Sequence, residues 1–255
     1  MKAEVIKQLL DINDRFYQSF GAAFAETRRR LQPGVQRIVD QWIKPGNWLD
    51  IGCGSGVLGQ RLAHGGLEGS YLGLDFSLPL LEEAQKGAAE LDPHPAFDLV
   101  YRQANLLDEH WTNAADNRLF DGVMAFAVLH HIPGAEARQR LIGQIYDLVA
   151  PGGFFIHSEW QFQHNPKLMA RIQPWSLVGL TEDAVELGDT LLDWRHFAEG
   201  QADQPGLRYV HLFSKPELAG LASLASLAGF KIVEEFESDG LPGNLGLYQV
   251  WQKKA

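Results

Sequence analysis

A short apolar run, Trp48-Leu49-Asp50-Ile51, passes directly into Gly52-Cys53-Gly54-Ser55-Gly56. Glycines at alternate positions let the backbone turn tightly and leave no Cβ between main chain and a ligand. A helix following such a turn offers free N–H groups and the positive end of its dipole to an anionic group. A second apolar run, Leu72-Gly73-Leu74, ends on Asp75, 19 residues beyond Gly56. A carboxylate at that distance is placed to accept hydrogen bonds from ribose hydroxyls. Without Asp75 the glycines would read equally well as a bare strand-to-helix turn. A nicotinamide site needs Gly-x-Gly-x-x-Gly/Ala, and Val57 stands at the last of these positions, where a β-branched side chain crowds helix against strand.

A second set of residues has types suited to handling an acceptor. Phe126-Ala127-Val128-Leu129-His130-His131 and Ile156-His157-Ser158-Glu159-Trp160 each close an apolar run. An imidazole there is a candidate general base, and adjacent side chains point differently, so at most one histidine of the pair is expected to face the acceptor. The alternative is that both simply hydrogen-bond the loop. Arg208, Tyr209 and His211 could bind an acid or a phosphate, since a guanidinium can clamp a carboxylate with two parallel bonds. Arg28, with Tyr17 nearby, could do the same for a ligand carboxylate. Trp160 and Trp194 offer faces on which an unpaired base could stack, or serve as core. No Cys/His set has metal-ligand spacing, so no metal site is expected.

These residues need a scaffold, and the periodicities describe one. Val5, Leu9, Ile12, Phe16 and Phe20, then Leu31, Val35, Ile38 and Trp42, recur at helical spacing and predict helices over 3–20 and 26–43. Strands are expected at 47–51, 70–75, 97–102, 119–126 and 152–159, with helices at 56–64, 77–91 and 135–149. A helix at 214–228 and strands at 230–236 and 246–252 close the chain. Alternating strands and helices at this spacing give an α/β fold with a doubly wound, mostly parallel sheet. The stretch from Gln161 carries Pro166, Pro174 and Pro205 and only short apolar periods, which reads as an insertion packed over the end of the sheet. The expectation is one domain over 1–255: an N-terminal helical cap (1–45), a cofactor-binding core (46–160), a substrate-side insertion (161–213) and a C-terminal helix with two strands (214–255).

The run Asp50-Ile-Gly-Cys-Gly-Ser-Gly56 resembles the first motif of the class I S-adenosylmethionine-dependent methyltransferases, and Gly73-Leu-Asp75-Phe-Ser77 their second. Asp121 to Ile132 and Leu148-Val-Ala-Pro-Gly-Gly153 resemble later motifs. The resemblance implies a Rossmann-like seven-stranded sheet and S-adenosyl-L-methionine as cofactor. By it, Gly52, Cys53, Gly54 and Gly56 line the methionine portion, Asp75 holds the ribose, and Asp50 belongs to the same cofactor-binding set. Phe76 lies beside the adenine, Asn105 and Leu106 near its amine, and Ser77 and Ala127 belong to the same cofactor site. Phe24-Ala-Glu-Thr-Arg28, Pro33-Gly-Val35, Phe126 to His131, Trp160, Leu192-Asp-Trp-Arg195 and Arg208-Tyr-Val-His-Leu-Phe213 are similar to segments of the tRNA wobble-uridine carboxymethyl methyltransferases. That likeness implies a tRNA carboxymethyl group as acceptor and allows a small zinc-binding activator subunit. Val210 departs from the aromatic usual in such a run.

Composition narrows the partners. The chain has 255 residues, 45% of them hydrophobic and 21% charged, with a net charge of −10. That charge weighs against a broad, salt-driven grip on nucleic acid, although Arg28–Arg30, Arg195 and Arg208 could form a local patch or a solvated face. A small metabolite or natural product therefore stands beside tRNA as the acceptor. A non-catalytic cofactor-binding scaffold is the third possibility, disfavoured by intact Asp50, Gly52, Gly54 and Asp75. Cys53 is the only cysteine, no apolar run spans a membrane and no signal segment is evident, so a cytoplasmic protein is expected.

Overall fold

The computed structural model describes residues 1–26, 30–92, 95–194, 206–227 and 229–255. The helix at the start, α1 (Ala3–Glu26), runs past its expected end, and α2 (Pro33–Trp42) starts later than expected. Pro33 sets that start: its ring fixes a helical φ at the first turn and Gln32 before it is extended, with ψ 149°. The strands β1 (Gly46–Ile51), β2 (Gly69–Asp75), β3 (Phe97–Gln103) and β4 (Phe120–Phe126) then alternate with α3 (Val57–His64), α4 (Leu78–Ala89) and α5 (Ala135–Leu148). After β5 (Val149–Trp160) come the short α6 (Pro166–Met169) and the strands β6 (Ile172–Gln173), β7 (Asp189–Trp194) and β8 (Gly206–His211). The chain finishes with α7 (Lys215–Leu227), β9 (Phe230–Ser238) and β10 (Gly246–Lys253).

The main sheet has seven strands in the order β3-β2-β1-β4-β5-β10-β9. Strands β1 to β5 pair in parallel, and β10 enters antiparallel to both β5 and β9. Strand residues alternate between two cores. Leu49, Ile51, Leu72 and Val123 pack toward α5 and α7. Trp48, Tyr71 and Met124 pack toward α2, α3 and α4. The strand order reverses between β1 and β4, and the crevice beyond their carboxyl ends is where open α/β sheets bind ligands.

Two pieces roof that crevice. Val5, Leu9 and Ile12 on α1 are buried against Trp175, Leu191 and Tyr209 of the segment that follows β5. Each such side chain contributes about 1.5–3 kcal/mol when removed from water. Asn13, on the same stripe, accepts from the Tyr209 backbone N–H at 2.8 Å and donates to its carbonyl at 3.1 Å. This two-point bond ties α1 to β8. The expected insertion contains a separate three-stranded antiparallel sheet, β6-β7-β8, that its apolar periods did not predict. On the opposite rim, Asp239 accepts from Gly34 N–H at 2.8 Å and from the Tyr248 hydroxyl at 2.6 Å, joining the β9–β10 turn to the start of α2. A Cβ on Gly34 would lie 2.2 Å from the Tyr248 ring, so only glycine permits that approach.

Candidate functional site

A cavity of about 570 Å³ opens at the switch point, within the range of small-molecule sites. Its floor is the glycine turn. Gly52, Gly54 and Gly56 have φ of 72°, 57° and 74°, a left-handed run that side chains resist. A Cβ on Gly52 would strike Val128, whereas one on Gly54 meets nothing within 4 Å and would project into the cavity.

Asp75 anchors this floor. One carboxylate oxygen accepts from Gly54 N–H at 2.8 Å and the other from Ser77 N–H at 2.9 Å. Burial pushes its carboxyl above the ordinary range, and these backbone donors oppose that rise. The carboxylate also lines the cavity, beside Phe76, Asn105, Leu106 and Ala127. Asn105 accepts from Leu107 N–H at 3.1 Å, which leaves its amide group for a ligand. Ala127 holds a left-handed φ of 59° and donates its N–H to the Ser158 carbonyl at 3.0 Å, storing strain at the rim.

Asp50, Cys53, Gly56 and Ser77 do not line the cavity among its described residues. They lie behind the floor. Asp50 is buried and accepts from the Tyr71 hydroxyl. Gly56 gives its carbonyl to the Tyr101 hydroxyl at 2.8 Å. Ser77 donates to the Tyr17 carbonyl at 3.4 Å, tying α4 to α1. Burial pushes the Cys53 thiol well above its ordinary range, so it is a packing residue here. Arg28 and Arg195 lie outside the described residues.

Burial raises Asp50 to about 7, against the bond from Tyr71 and helped by the Asp75 charge. The unfolded carboxyl ionises near 3.8, so folding loses stability as pH rises from about 4 to 7 and regains none above. Asp50→Asn keeps an oxygen for Tyr71 and removes this slope. Its thermal midpoint relative to wild type is therefore expected to be higher at pH 8 than at pH 5, measured by melting at both; a constant offset would rule this out.

A second wall of the cavity is built by the ends of β4 and β5. His130 and His131 both line the cavity, contrary to the expectation that only one would. They sit in a 3₁₀ turn, Leu129–His131, rather than a strand, and their rings lie 4.4 Å apart. His131 meets the Tyr209 carbonyl through Nδ1 at 3.1 Å, so that nitrogen carries hydrogen, and its Nε2 meets the Tyr17 hydroxyl at 2.9 Å. His130 is 2% exposed, and its Nδ1 faces Glu159 Oε2 at 3.3 Å. The other oxygen of Glu159 faces His157 Nδ1 at 3.1 Å. Burial raises the Glu159 carboxyl, but the hydrogen bonds from His130 and His157 oppose it, and the carboxyl is held below its ordinary range. Trp160 stands next to His130, ring centroids 6.4 Å apart, and the Arg208 guanidinium lies 5.5 Å from the Trp160 ring.

Tyr209 and His211, expected at the acceptor site, do not line the cavity. Side chains alternate along a strand, so with Arg208 facing inward its neighbours at 209 and 211 face away. The Tyr209 hydroxyl donates to Asp189 at 2.8 Å, and His211 bridges Asp189 and Glu217 at 2.7 Å each. Arg138 pairs with Glu186 at 2.8 Å and Glu217 at 3.3 Å in the same cluster. Glu186, Asp189 and His211 have metal-ligand proximity, yet these pairings already satisfy them, and they act as a strap between insertion and core. Trp194 is core, packed against Phe16 and Phe20.

Sequence reading missed Asn13, Glu159, Gln32, Tyr248 and Asp239, all of which line the cavity. Two carried signals: Asn13 interrupts an apolar helical stripe, and Glu159 is a carboxylate inside a buried strand.

Residues 49–155 match the model of a family described as a methyltransferase domain. The chain is 27% identical over 165 residues to the tRNA (carboxymethyluridine(34)-5-O)-methyltransferase of Arabidopsis thaliana, covering 64% of this chain and 36% of that protein. It is 32% identical over 119 residues to the ubiquinone biosynthesis O-methyltransferase of Alkalilimnicola ehrlichii, covering 47% and 42% of the two chains. The chain thus spans less than half the length of either relative. The fold is similar to the crystal structure of an S-adenosylmethionine-dependent methyltransferase from Methanosarcina mazei, with TM-score 0.60, 22% identity, and 88% and 98% of the two chains covered.

Proposed function

We propose that this chain, which carries a methyltransferase domain over residues 49–155, is an S-adenosylmethionine-dependent methyltransferase acting on an oxygen that must lose a proton. One observation carries the reading: the glycine floor with Asp75 and the His130–Glu159 pair line one cavity. The floor fits the cofactor, because Gly54 keeps its space open and Asp75 offers a carboxylate for ribose hydroxyls. Phe76, Asn105 and Leu106 would flank the adenine. When bound, S-adenosylmethionine supplies an electrophilic methyl on a sulfonium.

The protein's remaining task is alignment, exclusion of water and one proton transfer. Glu159 accepts from His130 Nδ1–H, which leaves the Nε2 lone pair as the base. His130 Nε2 takes the acceptor's proton as the O–CH₃ bond forms and the S–CH₃ bond breaks. The positive charge lost from sulfur ends on the imidazolium, beside the Glu159 carboxylate. Arg208 and Trp160 would hold an acidic or flat part of the acceptor. A small hydroxylated molecule suits this wall and the acidic chain. The single, half-buried thiol fits a reducing compartment such as the cytoplasm.

A second reading, a carboxymethyl group on a tRNA wobble uridine, draws on the likeness to the plant relative and on Arg208. A carboxylate is ionised at neutral pH and requires no base. The two readings differ in product chemistry. With methyl-labelled cofactor and a cell extract, label is expected in a ribonuclease-resistant small-molecule fraction that survives mild alkali, as an ether does. Label that disappears with ribonuclease and is released by alkali as methanol would establish the tRNA ester instead.

A further inference from the structure

Behind the acceptor wall lies a buried histidine, outside the cavity lining, for which the proposed transfer has no use. His157 is fully buried, stacked on Phe155 (5.1 Å, 15°) and set edge-on to Trp251 (4.8 Å). Its Nδ1 meets Glu159 at 3.1 Å, while its Nε2 is buried with no hydrogen-bond partner among the described residues. An unpaired buried polar atom is destabilising. Phenylalanine would fill the same slot without that cost, so packing alone does not account for an imidazole. The neutral Nδ1–H form is the cheapest choice: it leaves a bare lone pair at Nε2, whereas the charged ring would leave an N–H⁺ without an acceptor.

We propose that His157 is a positioning residue: its Nδ1–H holds Glu159 as a carboxylate against His130, so that His130 keeps Nε2 bare for the acceptor's proton. Glu159 has a completely buried side chain, and its two oxygens are shared out one to each histidine. Its titratable neighbours among the described residues are these two rings. Around His130 the other such groups are His131, 4.4 Å away between rings, and Arg208 across the Trp160 ring. With the His157 donor gone, a buried carboxylate with one partner would draw an extra proton into the pair. When that proton rests on the imidazole, His130 Nε2 carries hydrogen, and the base is lost.

This rests on the proposed role of His130, and the test separates the two. Ring-¹⁵N histidine NMR follows protonation of His130 Nε2 in wild type, His157→Phe and His157→Asn, with no acceptor needed. In His157→Phe the midpoint is expected to move up by about 1–2 pH units, the equivalent of one lost charge-assisted bond. In His157→Asn, whose amide can still donate to Glu159, it should stay near wild type. An unmoved midpoint in a folded His157→Phe overturns the proposal. The wild-type spectrum tests it without a variant, because His157 must appear as the neutral Nδ1–H form and an Nε2–H ring there also overturns it. If His130→Ala keeps full methyl transfer, the base reading falls while these spectra stand. If His130→Ala is inactive and the midpoint does not move, the role of His157 alone falls.

Discussion

His130→Ala is expected to bind S-adenosylmethionine as wild type does and to lose about 10²–10⁴-fold in kcat, the usual contribution of a general base. The imidazole lines the acceptor wall, whereas the cofactor contacts assigned above fall on the glycine floor, Asp75 and the residues after β3. Glu159→Gln should follow in the same direction. An amide can accept from one histidine only by presenting its NH₂ to the other, which forces one of the two rings into the opposite tautomer. If the ring that turns is His130, Nε2 becomes a donor. The informative measurement is kcat across pH together with the Kd for cofactor. A variant that keeps wild-type kcat would mean that the acceptor arrives already ionised, and would move the assignment to a carboxylate and a methyl ester.

The second large effect belongs to Asp75. Asp75→Ala is expected to weaken S-adenosylmethionine binding by at least ~100-fold, since two hydrogen bonds to a charged acceptor contribute roughly 1.5–3 kcal/mol each. The side chain has a second task besides the ribose, because it also anchors Gly54 and Ser77 N–H in the unbound protein. Asp75→Asn separates the two. Asn can keep one of those anchors but must turn its NH₂ toward the other donor, so an intermediate loss is expected. Calorimetric titration of the three proteins reads this directly, and an Asp75→Ala variant with wild-type Kd would remove the carboxylate from the cofactor site.

The core strands and helices were legible because their residues obey one period at a time. Leu72 and Leu74 face one core and Tyr71 the other, and Pro33 and the Gly52–Gly56 run punctuate the pattern at the true ends. The small sheet was not legible. In β7 the residues Leu191 to Trp194 are all buried, so no polar face marks a strand, and β6 has only two residues. The floor of the site could be read because a left-handed turn demands glycine. The acceptor wall was read only in part: His130, His131, Trp160 and Arg208 line it, but strand alternation sends Tyr209 and His211 to the strap behind it. Asp50 and Cys53 carry motif identities yet support the floor from below, because a strand leading into a turn buries its last side chains. Glu159 and His157 stood in a recognisable run, but only their pairing with a ring from another strand end gives them a role.

The two-point bond between Asn13 and Tyr209 joins residues 196 positions apart. On a ribosome adding about 5–20 residues per second, the partner of α1 is made roughly 10–40 s after α1 itself. Until Trp175, Leu191 and Tyr209 have all been made, the apolar stripe of Val5, Leu9 and Ile12 lacks its full cover. The nucleotide-type floor can therefore form on a nascent chain well before the roof. The first helix carries an apolar stripe that is not fully covered until the last fifth of the polypeptide emerges.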